Sequence, residues 1–322
     1  MSDQTADVVR PDVRIFLDML AANPRPELTN DNIAAMREMT APGMSLIDLP
    51  VGDVAVIRDV TMPGPGGDIG LRLIDTRADR GPGPVVVFFH GGGFVIGNVL
   101  GWTSIAAEVG RQLDLPVVSV EYRLAPEHPW PAAPDDAEAA IRWIADNGAA
   151  FGREFTSLVL CGDSAGATLT LVSAMALRDR PAALAVILQI PIYPATDPLG
   201  SSESKDLFSQ GFGLDRSSME WFNASYRPEP GHWRGSPTYG SVAGLPPTVL
   251  ITAGCDPLRD QGRAFAAKLV QAGVQTTFYE ADKMVHGFAT FRAVIPSAQR
   301  DVAVILNLAR AVLSTLLGSM RG

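Results

Sequence analysis

Cysteine and histidine are scarce in this chain. Two cysteines among 322 residues cannot build a disulfide framework or a four-thiolate metal site. The four histidines stand apart, at positions 90, 128, 232 and 286, so a histidine-rich metal cluster is not expected. Charge is thin as well, at 19% of residues against roughly 25% in an average soluble chain. Positive charge is the scarcer sign: 26 Lys and Arg face 35 Asp and Glu, a formal charge of −9. That balance excludes the basic face a nucleic-acid partner requires. No uninterrupted run of eighteen apolar residues occurs, so no membrane span is expected. The polar, acidic start Met-Ser-Asp-Gln-Thr-Ala-Asp lacks the pattern of a signal peptide, and a cytoplasmic location is expected.

What is abundant is apolar. At 47%, the apolar fraction suits a large buried core and excludes a disordered chain. The length fits one large α/β domain with insertions, or two ordinary ones. Val13, Phe16, Leu17 and Leu20 follow helical spacing, and Asn30 is placed to cap a second short helix carrying Ile33 and Met36. Ile69 to Ile74 reads as strand, and Val85 to Phe89 as a strand buried on both faces. Strands are then expected at 116–121, 157–161, 184–190, 248–253 and 275–280. Helices are expected at 135–147, 165–178, 259–272 and 298–317. Repeated βα units predict a mostly parallel central sheet flanked by helices. Residues 198–245, rich in Ser, Gly, Pro and aromatics, interrupt the rhythm and read as an insertion over the sheet.

Gly162-Asp-Ser-Ala-Gly166 lies between a strand and a helix, where a Gly-x-Ser-x-Gly nucleophile elbow belongs. The turn is so tight that side chains at its glycine positions would collide, and Ser164 would head a helix whose dipole favours negative charge. His90-Gly-Gly-Gly-Phe94 follows the Val85–Phe89 strand. A glycine run there exposes backbone N–H groups to a substrate oxygen, so Gly91, Gly92 and Ala165 are the expected oxyanion donors. Neither Lys-Ser nor Lys-Thr follows these glycines, which argues against a phosphate cradle. His90 reads as a structural hydrogen-bonder.

A serine nucleophile needs a base, and the base needs an orienting carboxylate. In the chain order serine, acid, histidine, only His232 and His286 can be the base. His286 follows the last strand, at the sheet edge where ligands bind; His232 lies in the insertion. Asp256, at the end of the 248–253 strand, is the leading acid. Asp197 and Asp282 are its rivals, and Asp260 reads as a helix-start charge. Within the insertion, Phe212 and Trp221 are candidate pocket walls. Cys161 and Cys255 should sit two strands apart, roughly 9–10 Å, too far for a bridge.

Four blocks together resemble the bacterial hormone-sensitive-lipase family of esterases, the α/β-hydrolase fold-3 group. They are His90–Phe94, Tyr122-Arg-Leu-Ala-Pro-Glu-His-Pro-Trp-Pro-Ala132, Gly162–Gly166, and Asp256-Pro-Leu-Arg-Asp260 with His286-Gly-Phe288. Ala167 departs from the pattern, since many relatives carry a further glycine there. The resemblance implies an α/β-hydrolase fold with a helical cap: residues 1–45 as its N-terminal part, and residues 46–322 as the catalytic domain with a cap insertion at about 198–245. It implies a serine carboxylesterase acting on small-molecule esters with short- to medium-chain acyl groups, without a cofactor, and often a homodimer. Catalysis would fall to Ser164, His286 and Asp256. An amidase on the same residues and a non-catalytic receptor on a hydrolase fold are the alternatives, the latter predicting a missing catalytic residue. The Tyr122–Ala132 block reads as support beneath the glycine loop, with Glu127 in its hydrogen-bond network. The helices of residues 1–45 precede the first strand, so the sheet is expected to form without them.

Overall fold

A computed structural model describes residues 8–319 apart from Arg25 and Glu27. Residues 1–7 of the expected cap lie outside the described residues. Eight strands form one sheet: β1 (Val56–Gly64), β2 (Gly67–Asp75), β3 (Gly83–Phe89), β4 (Val117–Glu121), β5 (Phe155–Asp163), β6 (Val186–Ile192), β7 (Thr248–Cys255) and β8 (Thr276–Val285). Their spatial order is β1-β2-β4-β3-β5-β6-β7-β8. β1 and β2 pair antiparallel, β2 runs antiparallel to β4, and every other neighbouring pair is parallel. The helices are α1 (Pro11–Ala22), α2 (Ile33–Glu38), α3 (Thr40–Ile47), α4 (Thr103–Leu113), α5 (Ala132–Asp146), α6 (Ala165–Asp179), α7 (Glu203–Leu207), α8 (Arg216–Tyr226), α9 (Arg259–Gln271) and α10 (Pro296–Ser319).

The central strands are apolar on both faces because helices cover both. Pro84 to Phe89 are all buried in β3, and β6 is buried from Ile187 onward. α6 is buried from Ala165 to Met175, which explains why that segment carries no charged residue. Ala167 is fully buried there. β1 has no counterpart among the expected strands because it is largely exposed and carries no apolar alternation. The helix expected at Asn30 starts at Ile33. Asn32 takes the capping place, and its side chain accepts from Thr29 N–H at 2.9 Å.

Two expectations gain detail from the packing. α10 is long and apolar enough to cross a membrane by length and composition. A few polar and charged residues interrupt its apolar sequence, so it contains no unbroken apolar run. Its inner face (Ala298, Val302, Ile305, Leu306, Ala309 and Leu313) is buried in the core. The N-terminal segment, moreover, belongs to the core of the sheet. Val9, Val13, Phe16 and Leu17 form one apolar cluster with strand residues Val86, Ile190 and Ile251. Removing them would uncover part of that cluster, so this segment adds to the packing on the sheet. Polar ties reinforce the packing. Arg10 donates to the Asp282 carbonyl and pairs with Asp301, and Asp48 forms a buried ion pair with Arg292 at 2.6 Å.

Candidate active site

The elbow shows why its glycines are required. Ser164 sits between β5 and α6 with φ 54° and ψ −117°, a strained conformation for a side-chain-bearing residue. A Cβ on Gly162 would lie 2.4 Å from the Gly166 carbonyl oxygen, and one on Gly166 would lie 2.0 Å from the Phe89 carbonyl oxygen. Only hydrogen fits at either position. Ser164 N–H donates to the Ile192 carbonyl at 2.9 Å, which pins the turn to β6.

The Ser164 hydroxyl donates to His286 Nε2 at 2.8 Å, and His286 Nδ1–H donates to Asp256 Oδ2 at 2.7 Å. Asp256 is fully buried, and its Oδ1 accepts the Leu258 N–H at 2.7 Å. The imidazole rests on Tyr193, with ring centroids 4.8 Å apart. Three of the other candidates are occupied elsewhere. Asp197 accepts from Gly200 N–H, Asp260 accepts from Ser204 N–H, and His232 accepts the Arg234 N–H beside Trp130. Cys161 and Cys255 are free and buried on β5 and β7, with β6 between them.

The glycine loop departs from expectation at one position. Gly91 N–H donates to Asp163 Oδ1 at 2.8 Å, so it is not free for a substrate oxygen. The N–H groups of Gly92, Gly93 and Ala165 have no partner among the described residues, and all three residues line the cavity above Ser164. Gly93, rather than Gly91, therefore offers an open N–H beside those of Gly92 and Ala165. The reason is register: Phe89 on β3 pairs with Gly162 on β5, which brings the start of the loop against Asp163.

Asp163, between Gly162 and Ser164, carries no sequence signal beyond its place in the elbow. It is buried and also accepts the Trp102 indole N–H at 2.8 Å. Burial pushes its carboxyl up to about 6, against the opposing hydrogen bonds from Trp102 and Gly91. His90 is pushed down to about 4 by burial, which keeps it neutral. Its Nδ1 bonds the Gly91 carbonyl at 2.7 Å, while the Tyr122 hydroxyl donates to the His90 carbonyl at 2.7 Å. These bonds give His90 and Tyr122 the structural role expected of them.

A carboxyl raised on folding binds its proton more readily in the native state than in the unfolded one. Its stabilising effect is present below the unfolded value and is lost as pH rises through about 6. Asp163→Asn keeps an acceptor for both N–H groups but cannot ionise. Between about pH 4 and about pH 8 the variant should gain up to about 3 kcal/mol relative to the parent chain. Urea unfolding at the two pH values reads this directly. Parallel pH dependence of the two proteins would show that Asp163 is not held in the raised state.

The cavity holds about 480 Å³ and is walled mainly by apolar groups. One wall comes from Phe16, Leu20, Leu28, Met36, Met44 and Ile47; another comes from Leu214, Met219 and Phe222. Neither Phe212 nor Trp221 lines it, contrary to expectation. Phe212 packs on Phe208, with ring centroids 5.0 Å apart. Asp215, which precedes α8, and Ser218, Met219 and Phe222 within it share the inner face at helical spacing. Trp221 falls outside that face and packs against the core.

Against known proteins, the model of the alpha/beta hydrolase fold family matches residues 86–290. Esterase LipI of Mycobacterium tuberculosis is 35% identical over 303 residues, covering 92% of this chain and 93% of that protein. This chain belongs to the hormone-sensitive-lipase family of α/β hydrolases, a family of carboxylic ester hydrolases. The ethyl acetate hydrolase of Pseudomonas putida is 33% identical, with 70% of this chain and 72% of that protein aligned. Among solved structures, an α/β hydrolase from the metagenome of Lake Arreo superposes with a TM-score of 0.89 at 33% identity, covering 95% of this chain and 99% of its own. An esterase of Pyrobaculum calidifontis superposes at 0.85 with 32% identity and the same coverage.

Proposed function

We propose that this chain is a serine carboxylesterase that cleaves small-molecule esters of short to medium acyl length through an acyl-enzyme. The observation that carries the proposal is the hydrogen-bond chain Ser164–His286–Asp256, at 2.8 and 2.7 Å, beneath an apolar cavity with three N–H groups unpaired among the described residues. Ser164 Oγ attacks the ester carbonyl carbon while its proton passes to His286 Nε2. Asp256 holds the Nδ1–H tautomer and stabilises the imidazolium. Charge developing on the carbonyl oxygen is met by the N–H groups of Gly92, Gly93 and Ala165. Collapse of the tetrahedral intermediate expels the alcohol, which takes the proton from His286. Water then attacks the acyl-enzyme by the same route and releases the acid. The carboxylic ester hydrolases among the relatives support the reaction class. A related ester hydrolase solved with a bipyridine phosphonate derivative supports a site shaped for a tetrahedral group.

Residues 11–47 and the insertion at about 198–245 act in this proposal as a cap over Ser164. They exclude water and set the acyl pocket. A series of p-nitrophenyl esters from acetate to palmitate, run beside p-nitroanilides, tests the function. Turnover should be fastest from acetate to octanoate and should fall for palmitate, with anilides far slower. Faster cleavage of anilides would make the chain an amidase, and no turnover of either would make it a binding protein.

A further inference from the structure

We propose that Arg37, on cap helix α2, is a positioning residue for the oxyanion loop, so that docking of the cap completes the anion-binding site. The inference rests on the hydrolytic reading above. Arg37 reaches out of the cap and grips two core loops at once. Its Nε donates to the Val95 carbonyl at 2.7 Å and its Nη2 to the Ala125 carbonyl at 2.5 Å. The outer nitrogens also form a two-pronged pair with the Glu127 carboxylate, both bonds at 2.9 Å. The guanidinium fork matches this set of acceptors; a single ammonium could not span it.

The gripped segment is under conformational strain. Gly92, Gly93 and Phe94 all have positive φ, at 114°, 61° and 64°. Glycine tolerates this, but Phe94 does not do so freely. Such a residue persists only where its surroundings over-determine it. Three restraints act here. The Phe94 ring stacks on Tyr226, with centroids 3.8 Å apart. The Ala125 N–H donates to the Phe94 carbonyl at 2.9 Å. Arg37 holds the next carbonyl along, Val95, together with that of Ala125. The turn is closed by Val95 N–H and Ile96 N–H on the Gly92 carbonyl, at 3.0 and 2.9 Å. A shift at Val95 therefore moves the Gly92 and Gly93 N–H groups. Among these restraints, Arg37 comes from the N-terminal cap, and its neighbour Met36 lines the cavity.

A mere tether would act differently. Glu127 is 51% exposed, and an exposed pair of this kind contributes little to stability. A tether would alter thermal stability and leave chemistry alone, whereas a positioning residue alters kcat.

The test uses the full chain and p-nitrophenyl butyrate, with Arg37→Ala, Arg37→Lys, Glu127→Gln and Ser164→Ala in parallel. Removing an oxyanion donor outright costs about 10²–10³ in kcat, so displacing two of them should cost Arg37→Ala about 10- to 100-fold. KM should stay within about twofold, as expected when only transition-state binding is lost. Phosphorylation of Ser164 by diethyl p-nitrophenyl phosphate, which draws on the same N–H groups, should slow in parallel. Added methylguanidinium should restore part of the lost rate. Glu127→Gln leaves both carbonyl contacts intact and should stay within about threefold of the parent kcat. A kcat for Arg37→Ala within about twofold of the parent, or a rise in KM alone, overturns the proposal. If Arg37→Ala does not fold, Arg37→Lys decides: a lower kcat at constant KM supports the proposal, and an unchanged kcat overturns it. Ser164→Ala separates the two readings. If it retains activity, the hydrolytic reading fails; if it is inactive while Arg37 variants match the parent, only the present inference fails.

Discussion

Ser164→Ala should leave a folded protein whose ester turnover falls by about 10⁶ in kcat. The size follows from the position of the hydroxyl. It is the atom that would bond the acyl group, and it is already aligned on His286 Nε2 at 2.8 Å. Nothing in the packing depends on it, because the Ser164 side chain opens into the cavity rather than into the core. The backbone at Ser164 keeps its anchor, the N–H bond to Ile192, when the side chain is shortened. Far-UV circular dichroism and thermal unfolding should therefore match the parent chain. Steady-state assay on p-nitrophenyl butyrate supplies the decisive reading. A variant that kept even about a tenth of the parent rate would remove Ser164 from the nucleophile's role, because loss of a true nucleophile is never that mild.

Asp256→Asn should cut kcat by up to about 10⁴, with little change in fold. Asp256 is fully buried and receives the His286 Nδ1–H at 2.7 Å, so it selects the tautomer whose Nε2 lone pair faces Ser164. An amide at this position can donate to Nδ1 instead. The ring proton then moves to Nε2, and the base loses the lone pair it needs. The Leu258 N–H still finds an oxygen acceptor in the asparagine, which is why the loop should survive the change. Asp197→Asn and Asp282→Asn serve as controls. Asp197 bonds the Gly200 N–H within its own loop, so its loss should be mild. A crippling effect at either control, with a mild one at Asp256, would move the acid to another residue.

Part of the candidate site is legible in the sequence because its causes are local. The elbow needs glycine at 162 and 166 for steric reasons that operate within a few residues and one neighbouring strand. Buried parallel strands such as β3 advertise themselves as unbroken apolar runs, since both faces are covered. The placement of Asp256 and His286 after strand ends follows from the same logic. Weaker signals are lost. β1 is largely exposed, so it lacks the apolar alternation that marks a half-buried strand.

The remaining features depend on pairings across long stretches of chain. Whether Gly91 or Gly93 offers a free N–H depends on Asp163, which lies 72 residues beyond Gly91 and meets the loop only through the β3–β5 register. Whether Phe222 or Trp221 faces the cavity depends on the rotation of α8 about its own axis. Both residues are aromatic, and composition cannot distinguish them. The apolar face of α1 announces burial, but not that it joins the cluster beneath the strands. Arg37 carries no signal at all, because its acceptors come from segments 58 to 90 residues away. The order of residues alone is enough for the fold class and for singling out Ser164, His286 and Asp256, since steric limits and apolar patterning act over short distances. Which N–H groups are free, which side chains wall the cavity and which carbonyls Arg37 reaches emerge only in the folded chain, because hydrogen-bond partners are settled by where distant segments meet.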